Sequence, residues 1–103
     1  MMYFDWNPAK SAWIWRHRKI DFATALHIFH DPLVFRFPHP HGDEVQWRAI
    51  GRMQDNAGNP LFLTVPHEVE QKGADEYIWI ITAWKSTAAE IDRYYKENGL
   101  AQE

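Results

Sequence analysis

Six side chains of this 103-residue sequence stand out as candidates for proton transfer and anion stabilisation. Arg52 follows Gly51 on an alternating mid-chain stretch, and its planar fork suits phosphate oxygens. Lys85 comes just after the most apolar segment and supplies a second cation, while Arg16 belongs to a basic cluster, Arg16-His17-Arg18-Lys19. His67, Glu68 and His17 are the groups able to take or give a proton. Cations beside an acid and a base are the set required to break a phosphodiester without a metal. Each residue also has a plainer reading. A strand Arg is often salt-bridged or solvated, loop polar residues such as His67 and Glu68 are usually just hydrated, and His17 can cap a helix C-terminus.

A metal is not expected. His39-Pro40-His41 with Asp43 has the donors for Zn or Ni, but nothing completes the site with a recognisable spacing. A solvated, proline-rich turn is the better reading, and no cofactor is called for. The absence of Cys removes thiolate sites and disulfides. A formal charge of −3 lacks the basic excess usual in nucleic-acid-binding domains, although a local cluster can dominate one cleft. No apolar run approaches the roughly 18 residues of a membrane span, and no secretory signal is seen, so a cytoplasmic protein without membrane contact is expected.

The elements that must position these groups read as α+β in one domain, residues 1–103. Tyr3 to Trp6 is a short strand or extended lead-in. Asn7-Pro8 starts a helix running to about His17, and Asp21 caps a second that ends near His30, before Asp31-Pro32. Leu33–Phe37 is a strand stopped by Pro38 and Pro40; Val45–Met53 is a second, and the turn at Asp55–Pro60 returns Leu61–Val65 antiparallel to it. About Glu68 to Asp75 reads as a polar loop or hairpin end, and Tyr77–Ala83 as a buried, central strand. Thr87 and Glu90 form a capping box for a last helix that carries Ile91, Tyr94 and Tyr95 and stops at Gly99. The expectation is two N-terminal helices, about four antiparallel strands and one C-terminal helix. Six Trp are many for so small a core. Trp13 and Trp15 cannot both face it from one helix, whereas Trp47 and Trp79 sit on strands and read as core.

Several segments, in order, resemble the BrnT family of type II toxins: Phe4-Asp5-Trp6-Asn7-Pro8-Ala9-Lys10 with Arg16-His17-Arg18, Asp21-Phe22-Ala23-Thr24-Ala25, and Ile28-Phe29-His30-Asp31-Pro32-Leu33. Arg48-Ala49-Ile50-Gly51-Arg52 and Ile80-Ile81-Thr82-Ala83, followed by the capped helix with Glu90 and Tyr94, complete a set covering about residues 3 to 96. The resemblance implies a RelE-like fold, ribonuclease activity on RNA, and a cognate antitoxin that binds DNA, so that DNA is met only through the partner. It implies a cleft containing Arg52, Lys85, His67, Glu68 and His17 as catalytic candidates, with Arg16 and Trp84 touching substrate. The chain departs from the family pattern at Trp84 and Val69, where the family carries Arg. An alternative is therefore a family member reduced to partner binding. Outside the family, a small structural or interaction domain remains, homo-oligomeric through its aromatic surface.

Overall fold

A computed structural model describes residues 1–100 and contains three α-helices and one mixed six-stranded sheet, an α+β fold. β1 (Met2–Trp6) leads into α1 (Pro8–Arg18) and α2 (Phe22–Ala25), which tightens into a 3-10 turn, Leu26–His30. β2 (Phe35–His41), β3 (Glu44–Gln54), β4 (Pro60–Lys72), β5 (Asp75–Ile80) and the short β6 (Trp84–Lys85) follow, and α3 (Ala88–Glu97) comes last. The sheet runs β1-β5-β4-β3-β2, with β1 parallel to β5 and β6 paired to β4 beyond the end of β5.

Local chemistry explains the helix ends. The Asn7 side chain accepts from the amides of Ala9 and Lys10, with Pro8 at the first helical position. Asp21 caps through Thr24 N at 2.7 Å. Thr87 and Glu90 form the reciprocal capping box, and Gly99 takes φ +67° past the end of α3. The second helix is shorter than expected: only four residues are α before the coil tightens. Gly51 passes so close that a Cβ there would lie 2.7 Å from Ile28 Cβ, so the turn is pressed onto β3.

The sheet corrects the expected four antiparallel strands in three places. The N-terminal segment is a full strand whose parallel pairing is permitted by the helical crossover that follows it. Pro38 and Pro40 do not stop β2. It is an edge strand, and prolines two apart both fall on its unpaired side, where no ladder bond is lost. The stretch from Glu68 is the end of a hairpin and not a loop: β4 continues to Lys72, turns at Gly73, with φ +61°, and pairs back with β5 from Asp75. Its charged residues alternate with Val69, which is the pattern of a strand with one wet face. β5, in turn, ends at Ile80 rather than Ala83.

One face of the sheet carries the main core. Ile14, Ile20, Phe22, Ala25, Ile28 and Phe29 from the helical segment meet Ala49, Leu63, Val65, Ile78 and Ile80. The sheet curls strongly here: Arg36 on β2 reaches Glu76 on β5 at 2.9 Å, although β3 and β4 lie between them. α3 covers part of the opposite face, where Tyr94 and Tyr95 pack on Phe62 and the Arg93 guanidinium lies 4.0 Å from the Phe37 ring centre. Trp13 and Trp15 both point outward, with Ile14 between them carrying the buried stripe. Trp79 is not core: it is 42% exposed and faces away from α1 and α2, while Trp47 is half-buried. Among the described residues no helix is long and apolar enough to cross a membrane.

Candidate functional site

The 3-10 turn determines one cleft. Three residues per turn place His27 and His30 nearly above one another, and their ring centres lie 6.1 Å apart. Both rings line an open cleft of about 340 Å³ with Asp31, Arg52 and Tyr94. Asp31 builds it. Its Oδ2 accepts from the Tyr94 hydroxyl at 2.7 Å and from the Arg52 amide at 2.9 Å, and its Oδ1 accepts from Leu33 N at 2.9 Å. One carboxylate thus joins the end of the 3-10 turn, β3 and α3. Burial, reinforced by that hydrogen bond and by the Asp31 charge, pushes the Tyr94 phenol well above its ordinary range. It remains a neutral donor. The Asn98 side chain also donates to Leu33 O at 2.9 Å, tying the end of α3 to the same corner.

The cleft therefore combines two exposed imidazoles, an exposed guanidinium and a neutral phenol. Imidazole serves as either base or acid near neutral pH, and a guanidinium stabilises added charge on a phosphoryl group. Arg52 stands where the sequence reading wants a cation. Sequence alone does not mark His27, His30, Asp31 and Tyr94 for chemistry; the one signal it carries is the i, i+3 spacing of two His in a segment that tightens to three residues per turn.

The remaining sequence candidates are dispersed. His67 is corrected outright. It is fully buried on the helix-covered face, its Nδ1–H donates to Val65 O at 2.8 Å, and its Nε2 lies 3.5 Å from Arg36 Nη2. Burial depresses its pKa to about 4 and the nearby Arg36 charge adds to this, against the pull of the Val65 carbonyl and Glu76. Such a group holds the core together and does not meet substrate. Glu68 is exposed on the opposite face, across from Trp79 in the ladder. Arg16 and His17 lie exposed on α1, where the His17 ring packs at a tilt against Trp13 with ring centres 4.1 Å apart. Lys85 is exposed on β6 and acts on the β3–β4 turn, where its charge is the last of several influences lowering the Asp55 carboxyl; the Asn59 amide is the largest.

Trp84 is half-buried and structural. Its Nε1 donates to Glu90 Oε1 at 3.0 Å, and the Arg48 guanidinium lies 5.3 Å from its ring centre. Burial alone would raise the Glu90 carboxyl, but hydrogen bonds from Thr87, Trp84 and Thr64 overcome it and hold it below the ordinary value. The indole at this position thus anchors the start of α3. Arg48 and Arg52 leave the same face of β3 with Ile50 between them, and Ile50 is fully buried. His39 and His41 project from one side of the edge strand, and among the described residues no three His, Asp or Glu side chains converge on a metal position.

No family model matches the chain, and no curated protein matches it significantly.

Proposed function

We propose that the protein is an endoribonuclease toxin that cleaves RNA in the Arg52 cleft and is neutralised by a DNA-binding antitoxin. The observation that carries this reading is the pair of imidazoles, 6.1 Å between ring centres, beside the Arg52 guanidinium. One imidazole takes the proton of an RNA 2′-hydroxyl, whose oxygen attacks the adjacent phosphorus. The other gives a proton to the departing 5′-oxygen, leaving a 2′,3′-cyclic phosphate on one product. Arg52 stabilises the charge that develops on the phosphoryl oxygens between them. Asp31 positions Arg52 through its main chain and Tyr94 through its hydroxyl. The resemblance to BrnT toxins supports the same activity, a RelE-like arrangement of the α+β fold and the antitoxin partner.

A second reading is a family member that binds its partner without cleaving RNA. It is favoured by the structural employment of His67 and Trp84, two positions at which the resemblance implies cleft residues. Expression of the chain alone separates the two. Growth arrest with loss of RNA, abolished by Arg52→Ala and by His27→Ala, supports the ribonuclease. Intact RNA in cells that contain abundant folded protein supports the binding module.

A further inference from the structure

α3 covers β2, β3 and the first half of β4 on its face of the sheet, where it packs on Phe62. From Glu68 of β4 across β5 and β1 the same face is uncovered and forms a groove of about 440 Å³. Its walls are Tyr3, Tyr77 and Trp79, each 40–44% exposed, and the carboxylates Asp5, Glu68 and Glu70. Alternation requires this arrangement: Phe4, Ile78 and Ile80 face the core, which turns their neighbours outward. Tyr3 and Tyr77 stack face to face with ring centres 5.0 Å apart, so each covers one face of the other. Aromatic faces beside carboxylates attract cations through ring quadrupole and charge together. The chain's own Lys72 illustrates this at the groove's end: its Nζ lies 5.1 Å from the Tyr77 ring centre and 3.7 Å from Glu70. That pair is exposed on both sides, 61% and 70%, so the ammonium is loosely held and can be exchanged for another.

We infer that this groove is a docking surface for a basic, extended segment of a partner protein, with Arg or Lys at alternate positions set over the Tyr3–Tyr77 stack, where it displaces Lys72, and over the Trp79 ring, and paired with Glu68, Glu70 and Asp5. An extended segment presents side chains on one side at a spacing of about 6–7 Å, which suits a groove built from strands. The chemistry is opposite to that of an RNA surface, because carboxylates repel phosphates. The groove is thus a protein-binding surface, and the inference does not depend on RNA cleavage at the Arg52 cleft.

The test uses a fluorescein-labelled peptide with alternating Gly and Arg, and a Gly–Gln control, titrated against the full chain in near-physiological salt with anisotropy as the readout. The Arg peptide is expected to bind and the Gln peptide not to. Trp79→Ala and the pair Glu68→Gln/Glu70→Gln each weaken binding about tenfold or more. The pair Asp92→Asn/Glu97→Gln removes the same charge from exposed positions on α3 and changes affinity by less than about twofold. Circular dichroism verifies that each variant is folded. Equal losses from both charge pairs would reveal unspecific attraction and overturn the proposal, as would the absence of binding. A dimer in sedimentation that Trp79→Ala converts to monomer would assign the groove to a second copy of this chain, which also overturns it.

Discussion

Replacing Asp31 by Asn tests whether one carboxylate joins the 3-10 turn, β3 and α3. The amide has the carboxylate's shape but only one oxygen, while three donors converge on Asp31. With its oxygen toward Leu33, its NH2 meets both the Tyr94 hydroxyl and the Arg52 amide. Turned round, its NH2 meets only the Leu33 amide, so this orientation prevails. Two bonds then survive but fall from charged to neutral strength, a loss of about 0.5 kcal/mol each, and one charge-assisted bond of about 1.5 kcal/mol disappears. The expected cost is roughly 2–3 kcal/mol. Asp31→Ala loses all three bonds and strands the buried Tyr94 hydroxyl, costing about 4 kcal/mol. Tyr94→Phe removes a single donor and costs about 1.5 kcal/mol, and its effect couples to Asp31→Asn by about 1 kcal/mol. Urea denaturation of the two single variants and the double variant, with slopes unchanged, measures each term. A cost below about 0.5 kcal/mol for Asp31→Asn, or strict additivity with Tyr94→Phe, would refute the reasoning.

Other predictions address different parts of the fold. Gly51→Ala places a Cβ 2.7 Å from Ile28 Cβ and 2.9 Å from Ile28 O, so it should destabilise by about 2–3 kcal/mol and displace the turn that carries His27 and His30. Urea melts give the first quantity, and the chemical shifts of the two imidazoles give the second. His67 titrates near 4 in the folded protein, below the usual 6.5, so the unfolded chain takes up the proton first. Stability should accordingly fall by about 3 kcal/mol as pH drops from 6.5 to 4, and His67→Leu should flatten that slope in melts across the range. Thr87→Ala should cost about 1 kcal/mol by opening the capping box, again read from urea melts, with Ser restoring most of it.

The local signals in the sequence transfer well to the structure, and the long-range ones transfer poorly. Asn7-Pro8, Asp21, Thr87 with Glu90, and Gly99 act through bonds within four residues, so the sequence displays them in full. Pro38 and Pro40 misled because their effect depends on whether β2 has a neighbour on each side, which only the assembled sheet decides. Glu68–Lys72 misled for a related reason: charged residues on an uncovered strand face look like a loop until the cover of the other face is known. His67 carries the same lesson at the level of chemistry. A His beside a Glu invites an acid–base reading, but alternation along β4 sends the two to opposite faces, one buried and one wet. The Arg52 cleft was half legible. Its cation could be read from the strand, but its imidazoles and Asp31 come from a turn more than 20 residues earlier, brought to β3 by the close approach at Gly51.

Cleavage of a defined RNA by the purified chain, in the presence of a chelator, tests the central claim most directly. The account predicts products that end in 2′,3′-cyclic phosphate. It also predicts that His27→Ala, His30→Ala and Arg52→Ala each lower the rate by about 10²-fold or more, with the fold intact by circular dichroism. An inert wild-type chain, or variants that cleave as fast as the parent, would contradict it.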